Sequence, residues 1–293
     1  METNLTNGFC MSIKIFKYER FAVSKSIESA LFDQICGSSP VLLNVPHAGT
    51  GVPDALRDAL RPEALELCDT DWHMDRIARD VLPQGGSLLA AKMSRYAVDL
   101  NRPSDDVPLY QTATTGLIST IDFDGTPLYR EGEEPDAQAR AARIARYWAP
   151  YHMALQAEID RIRAAHGYCL LLDVHSIRSR VPRLFEGRLP DLNLGTNSGA
   201  SCADALSDAA FGALQGKGFS VVRNGRFKGG YITRHYGAPA QGIHALQIEI
   251  AQDCYMIEQS PWTYVADKAD RLKTALQGLV DAMVEFQPEG MQK

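Results

Sequence analysis

Three stretches of this chain, VLLNV at 41–45, CLLLDV at 169–174 and ALQIEI at 245–250, are apolar with only single polar interruptions. A strand with one wet face alternates polar and apolar residues; a strand covered on both faces reads as these do. Helical patterns lie between the runs, and strands crossed over by helices build a mostly parallel sheet rather than a sandwich or a bundle. Strands are expected at 41–46, 87–92, 95–100, 168–174, 219–223 and 244–250, and helices at 69–82, 137–165, 199–216 and 262–286. Ser198 suits the N-cap of the third helix. Val265, Leu272, Leu276, Leu279 and Met283 have the spacing of a buried helical stripe in the last. With 293 residues and 45% hydrophobic content, the chain is long enough for one large α/β core. The expected organisation is a flexible tail over 1–15 and a single α/β domain over 16–293, a mixed, mostly parallel twisted sheet flanked by helices.

Composition removes several classes of function. The formal net charge of -6 supplies no basic field for a phosphate backbone, so nucleic acid is not an expected partner. No run of about 18 uncharged apolar residues is present and the N-terminus lacks a signal-peptide pattern, which predicts neither a membrane span nor secretion. The six cysteines are scattered without a CxxC pair, a usage that suits a reducing cytoplasm. GxSxG, GxGxxG and GxxxxGK[ST] are all missing from the chain.

Chemistry is concentrated where apolar runs end. His47 follows VLLNVP and His175 follows LLLDV, at the C-terminal edge where open α/β sheets hold their ligands. Pro46 and Ala48-Gly49 describe a tight exit from a strand that leaves the His47 ring exposed at the sheet edge. The period of two in YCLLLDVHS puts Asp173 on the same face as His175, where it can orient the imidazole or cap the following turn. His152, His166 and His244 read as packing or surface residues. Two imidazoles call for a third protein ligand if the ion is zinc, and the candidates lie in CDTDWHMD: Asp71 by position, with Asp69, His73 and Asp75 as competitors and Asp69 also readable as a helix N-cap. Glu249 is a carboxylate on a strand otherwise fit for burial, suited either to general-base work beside an activated water or to pairing with an arginine. Arg95 and Arg102, with Asn101 beside the latter, and Arg234 offer guanidinium forks for carboxylates or an oxyanion. The Pro-, Gly- and Asp-rich stretches 102–136 and 177–198 are long enough to be substrate-covering loops or plain insertions.

Taken in order, PHAGT, DTDWHMD, SRYAVDLNR, LLDVHS and the span from GGYITRHYG to HALQIEI resemble the N-formylglutamate amidohydrolase family over about residues 40–255. That family is in turn similar to the zinc carboxypeptidase and aspartoacylase superfamily. The resemblance implies a zinc-carboxypeptidase-like fold and hydrolysis of N-formyl-L-glutamate to formate and glutamate in histidine degradation. It implies Zn²⁺, or another divalent transition metal, held by His47 and His175. The superfamily's glutamate three residues after the first histidine is replaced here by Thr50, so Asp71 stands in as third ligand. It further implies Glu249 as general base, Arg95 near the oxyanion, and Asn101, Arg102 and Arg234 on the carboxylates of an N-acyl dicarboxylic amino acid. A deacylase for another N-acyl amino acid and a noncatalytic carboxylate-binding protein remain alternatives, and the sequence leaves the oligomeric state open.

Overall fold

The computed structural model describes residues 30–108 and 114–288; the expected tail at 1–15 lies outside them. Seven strands among the described residues form one mixed sheet: β1 (Phe32–Ile35), β2 (Val41–Val45), β3 (Ser87–Ala91), β4 (Cys169–Ile177), β5 (Leu192–Gly195), β6 (Val221–Arg223) and β7 (Ile243–Ala251). Their spatial order is β1-β3-β2-β4-β7-β5-β6. The centre, β3-β2-β4-β7, is parallel throughout, β1 and β5 each run antiparallel to the parallel block, and β6 is parallel to β5. The mostly parallel α/β sheet expected from the apolar runs is therefore what the chain builds. β2, β4 and β7 are buried at every position, as strands with helices on both faces must be.

The two faces differ, and the difference places the site. On one, Val41, Leu43, Val45, Leu170, Leu172, Val174, Leu246, Ile248 and Ile250 pack with α2 (Met74–Asp80), α5 (Asp204–Leu214) and α7 (Ala266–Glu285). On the other, Leu42, Leu171 and Ala245 pack against Leu155, Ile159 and Ile162 of α4 (Ala149–His166). This second face turns polar toward the strands' C-terminal ends. Asn44 is registered on Asp173 and Asp173 on Gln247, with His175 on Glu249 two residues further along. The chain leaves β2 to form β3 on one side and returns to form β4 on the other, so the C-terminal ends of β2 and β4 flank a topological switch point, where open sheets of this type leave a crevice.

Several elements depart from the sequence reading, each for a local reason. The expected strand at 95–100 is a turn: its apolar alternation imitates a strand, but the Asp99 carboxylate accepts the backbone N–H of Asn101 at 2.8 Å and Ala97 N–H bonds Ser94 O at 2.9 Å. Such short-range bonds compete with a ladder. The helix expected from 69 starts only at Met74, because His73 is left-handed (φ 64°) and Asp71 N–H bonds His47 O at 3.0 Å. α5 starts at Asp204; Ser198 sits at φ 57° in a short 3₁₀ turn instead of capping it. The segment 137–165 holds α3 (Ala137–Arg143), a π-helical turn (Ile144–Trp148) and α4 in succession. Pro150 at the start of α4 lacks the N–H that would continue the α ladder, and the wider turn accommodates it. The edge strand β1, the inner strand β5 and the short helices α1 (Asp54–Ala59) and α6 (Tyr231–Tyr236) were not expected.

α7 carries Leu272, Leu276, Leu279 and Met283 on its buried side, as read from sequence, but it starts at Ala266, so Val265 is its N-cap residue and not part of the stripe. Leu272→Ala, at a fully buried position, is expected to cost about 2–5 kcal/mol of unfolding free energy. Urea unfolding followed by circular dichroism measures it, and an unchanged midpoint would show that this helix does not close the core.

Candidate metal centre and substrate cleft

The β2 exit loop is locked to the segment that follows β3. A Cβ on Gly49 would meet the Lys92 carbonyl carbon and Met93 O at 2.4 Å, and Gly51 exchanges backbone bonds with Lys92 O and Ser94 N–H at 2.8 Å. Only glycine permits this approach. It brings the turn at 95–99 against His47, so that His47 Nε2 lies 2.7 Å from Asp99 Oδ1. The ring is consequently enclosed, with 3% exposure, and not left open at the sheet edge as its sequence context suggested.

Three donors converge there. His175 Nδ1 lies 3.3 Å and His47 Nδ1 3.9 Å from Asp71 Oδ2, and these three residues form a cluster whose ligand atoms lie within 4.8 Å of one another. Each imidazole has its other nitrogen on a carboxylate: Asp99 for His47, and Asp173 Oδ2, at 2.9 Å, for His175. That pairing puts the proton on Nε2 and the lone pair on Nδ1, the arrangement that histidine ligands of metals adopt. Asp71 is itself fixed by the backbone N–H of Ser176, which donates to Oδ2 at 3.0 Å, while its buried Oδ1 has no hydrogen-bond partner. A buried carboxylate with one oxygen free of hydrogen bonds, facing the Nδ1 atoms of two imidazoles, fits a divalent cation.

Charge bookkeeping agrees. Asp71, Asp99, Asp173 and Glu249 are buried around one buried guanidinium, Arg95, whose Nη2 binds Asp99 Oδ2 at 2.7 Å and whose Nη1 lies 3.6 Å from Asp71 Oδ1. Buried anions in excess of buried cations require compensation. Burial and Arg95 lower the His47 pKa against the pull of Asp99, which keeps that ring neutral as a ligand must be. Burial opposes the charged form of His175, but Asp173 and Asp71 outweigh it and hold its pKa well above the ordinary value, so a cation bound at Nδ1 would displace a proton from this ring. Burial likewise raises Asp99, yet His47, Arg95 and Arg102 bring it well below the usual carboxylate range. Burial pushes the Glu249 carboxyl up to about 8 against the attraction of His175. Glu249 Oε2 accepts from Gln247 Nε2 at 3.3 Å.

The competing ligands point elsewhere. Asp69 caps no helix: its Oδ2 accepts the Phe123 N–H at 2.9 Å, it faces Arg178 at 3.7 Å, and burial raises its pKa to about 6. His73 Nε2 lies 2.6 Å from Trp262 O, and Asp75 sits in the first turn of α2. His152 and His244 are buried packing residues, the latter accepting Ala203 N–H at 3.1 Å.

A narrow cleft of about 70 Å³ opens onto the three donors. Its wall includes Arg95, Asn101, Arg102 and Glu249 among the residues singled out from sequence. Thr114, Thr115 and Phe123 from the first long connection, and Ile177 and Leu184 from the second, line it as well. Arg102 is braced by Thr115 O at 2.8 Å and Thr114 Oγ1 at 3.0 Å. Asn101 is held at both ends: Oδ1 accepts Ile232 N–H at 2.8 Å, and Nδ2 lies 3.0 Å from His175 Nε2 and 3.5 Å from Asp173 Oδ2. Arg234 does not reach the wall; its Nε donates to Gly229 O at 2.7 Å within the turn that opens α6. Arg226 lines the cleft instead, with Nε on Leu184 O at 2.9 Å. Sequence reading missed Arg226, which sits in the polar NGRFKGG stretch without any periodic signal, and it missed Asp99, whose only mark was an acid within an apolar alternation.

Gly230 lines the same wall; a Cβ there would lie 2.3 Å from Asn101 Nδ2. Gly230→Ala is therefore expected to displace Asn101 from His175. A misplacement of about 1 Å near reacting groups costs about 100-fold in rate, so steady-state assay should show a loss of that order with the circular dichroism spectrum unchanged. Wild-type turnover in this variant would refute the contact.

Comparison with known proteins follows the same outline. The family model described as N-formylglutamate amidohydrolase matches residues 39–256. N-formylglutamate deformylase of Pseudomonas aeruginosa is 51% identical over 253 residues, covering 85% of this chain and 94% of that protein. The N-formylglutamate deformylase of Pseudomonas putida is 48% identical over 261 residues, covering 88% and 97%. Among solved structures, N-formylglutamate amidohydrolase from Ralstonia eutropha JMP134 superposes with a TM-score of 0.73 at 29% identity, covering 87% of this chain and 97% of that one.

Proposed function

Because this chain belongs to the N-formylglutamate amidohydrolase family, we propose that it hydrolyses N-formyl-L-glutamate to formate and L-glutamate with a divalent metal held by His47, Asp71 and His175. The observation that carries the metal part is the convergence of two imidazole Nδ1 atoms on a buried carboxylate whose second oxygen accepts no hydrogen bond. A cation in that position supplies Lewis acidity, polarising a carbonyl and acidifying a water. Zinc suits two imidazoles and one carboxylate with a position left for substrate. The free cysteines Cys36, Cys68, Cys169, Cys202 and Cys254 agree with a cytoplasmic protein, where a histidine-degradation enzyme would act.

Glu249 lies on β7, registered on His175, and lines the cleft. It takes the proton of the attacking water and hands it to the departing amide nitrogen, so that glutamate leaves as an amine. Burial alone would keep this carboxyl protonated at neutral pH; a neighbouring divalent charge favours the carboxylate that a general base requires. Arg95, tied to Asp99, presents fixed positive charge on the cleft wall for the developing oxyanion. Arg102 and Arg226 bind the two carboxylates of the substrate, which leaves the small formyl group as the part that reaches the donors. Asn101, held by the backbone N–H of Ile232 and with Nδ2 reaching Asp173 Oδ2 at 3.5 Å, steadies the carboxylate that orients the imidazole while its neighbour Arg102 takes the ligand. Arg234 supports the Gly229 turn.

Formate release from N-formylglutamate is expected to fall to background on chelation and to return with added Zn²⁺ or Co²⁺. N-acetylaspartate and N-succinylglutamate assayed beside it should be poorer substrates, and preference for either would redirect the reading to another deacylase. Glu249→Gln should keep bound metal, read by elemental analysis, and lose turnover by roughly 100- to 10,000-fold; comparable activity would remove the base assignment. Arg226→Ala is expected to lower kcat/KM for N-formylglutamate by about tenfold or more, with a smaller effect on N-formylglutamine, which lacks one carboxylate. Equal losses on both would place Arg226 elsewhere in the mechanism.

A further inference from the structure

The proposed metal ligand His175 stands at the end of a buried hydrogen-bond chain that begins on α4, the helix packed against the same face of the sheet. Tyr151 Oη, in the first turn of α4, donates to Asn44 Oδ1 at 2.8 Å; Asn44 Nδ2, on β2, donates to Asp173 Oδ1 at 2.7 Å; and Asp173 Oδ2, on β4, lies 2.9 Å from His175 Nε2. None of the four is more than 3% exposed. We propose that Tyr151 and Asn44 are positioning residues for the metal centre, acting through Asp173 to hold the His175 imidazole in the ring orientation and tautomer that turn Nδ1 toward Asp71. The proposal rests on the metal reading given above.

The chain has one sense. Asp173 as a carboxylate only accepts, so the Asn44 amide must offer it Nδ2, and Oδ1 is thereby presented to Tyr151, whose hydroxyl must donate. A flipped amide would set Oδ1 against the Asp173 carboxylate and leave Nδ2 facing the phenol. Asp173 thus sets the amide orientation, and the Tyr151 hydroxyl satisfies the buried Oδ1 that this orientation turns toward α4. Asp173, pinned by Asn44 at one oxygen, keeps the other for the proton on His175 Nε2. No water is required at any point, and the phenol ring is itself wedged edge-on against Phe32 at 5.8 Å between centroids. Buried, fully satisfied polar networks of this kind specify one arrangement, and outer partners of metal-bound histidines govern metal affinity.

Tyr151→Phe removes the hydroxyl and keeps the ring. Ile159→Val, about two turns further along the buried side of α4 in the same core, perturbs packing without removing any group of the hydrogen-bond chain. The readouts are Zn²⁺ affinity by competition with a chromophoric chelator and the visible absorption of the Co²⁺-loaded full-length protein. The expected result is about tenfold weaker Zn²⁺ binding and an altered Co²⁺ spectrum in Tyr151→Phe, with kcat lowered more than KM changes, while Ile159→Val matches the unaltered chain in both metal readouts. Unchanged affinity and spectrum in Tyr151→Phe would overturn the proposal and leave the metal centre standing. Equal weakening in both variants would also overturn it, since general loosening would then account for the effect. If the unaltered chain takes up no divalent metal, the proposal falls together with the reading beneath it.

Discussion

Oδ2 of Asp71 is the point on which this architecture converges. It accepts the Ser176 N–H and faces Nδ1 of both histidines, so one carboxylate oxygen joins the β2 exit, the end of β4 and the connection that leads into α2. Its position depends on Asp71 standing outside the helix, with its own N–H spent on His47 O. Had the helix begun at Asp69, the carboxylate would have been drawn into a helical turn and the two histidines would have faced no third donor. The left-handed His73 is the backbone cost of that delayed start, a conformation that non-glycine residues adopt at the order of 1 kcal/mol.

The sheet supplies rigidity of a particular kind. Its central strands carry an apolar row on one face that includes Leu43, Leu172 and Leu246, whereas the other face turns polar at Asn44, Asp173 and Gln247. Asn44, Asp173 and Gln247 form a rung across three strands, and His175 and Glu249 form the next. Because rungs are set by register, and a slip of one residue would exchange the two faces completely, the same interactions that bury Leu43, Leu172 and Leu246 also fix the relative positions of the imidazole and the acid. Stability and chemistry are written into alternating residues of the same strands.

Much of this was legible before the structure. Nearly continuous apolar runs identified the buried parallel strands, and two of the polar residues within or just after them, His175 and Glu249, stand on neighbouring strands at the cleft. The long stretches 102–136 and 177–198 contribute to its wall. What escaped was set by tertiary contact. SRYAVDLNR has a strand's period but bonds to itself and to His47, so its alternation misled. The LNLG of β5 is too short and too polar at Asn193 to stand out from the loop around it. Arg226 and Arg234 look alike in sequence, and only the path of the chain through Gly229 and Gly230 decides which one faces the cleft.

The enclosure of the three donors has a kinetic side. His47, Asp71 and His175 expose at most 3% of their surface, and they are reached through the cleft that Phe123, Leu184 and Phe227 border. An ion seated among them would have to depart by the substrate's own road, past hydrophobic side chains and against the pull of four carboxylates. Exchange with the surrounding pool would then be slow on the scale of turnover, and the ion a molecule carries would record what was abundant when it folded.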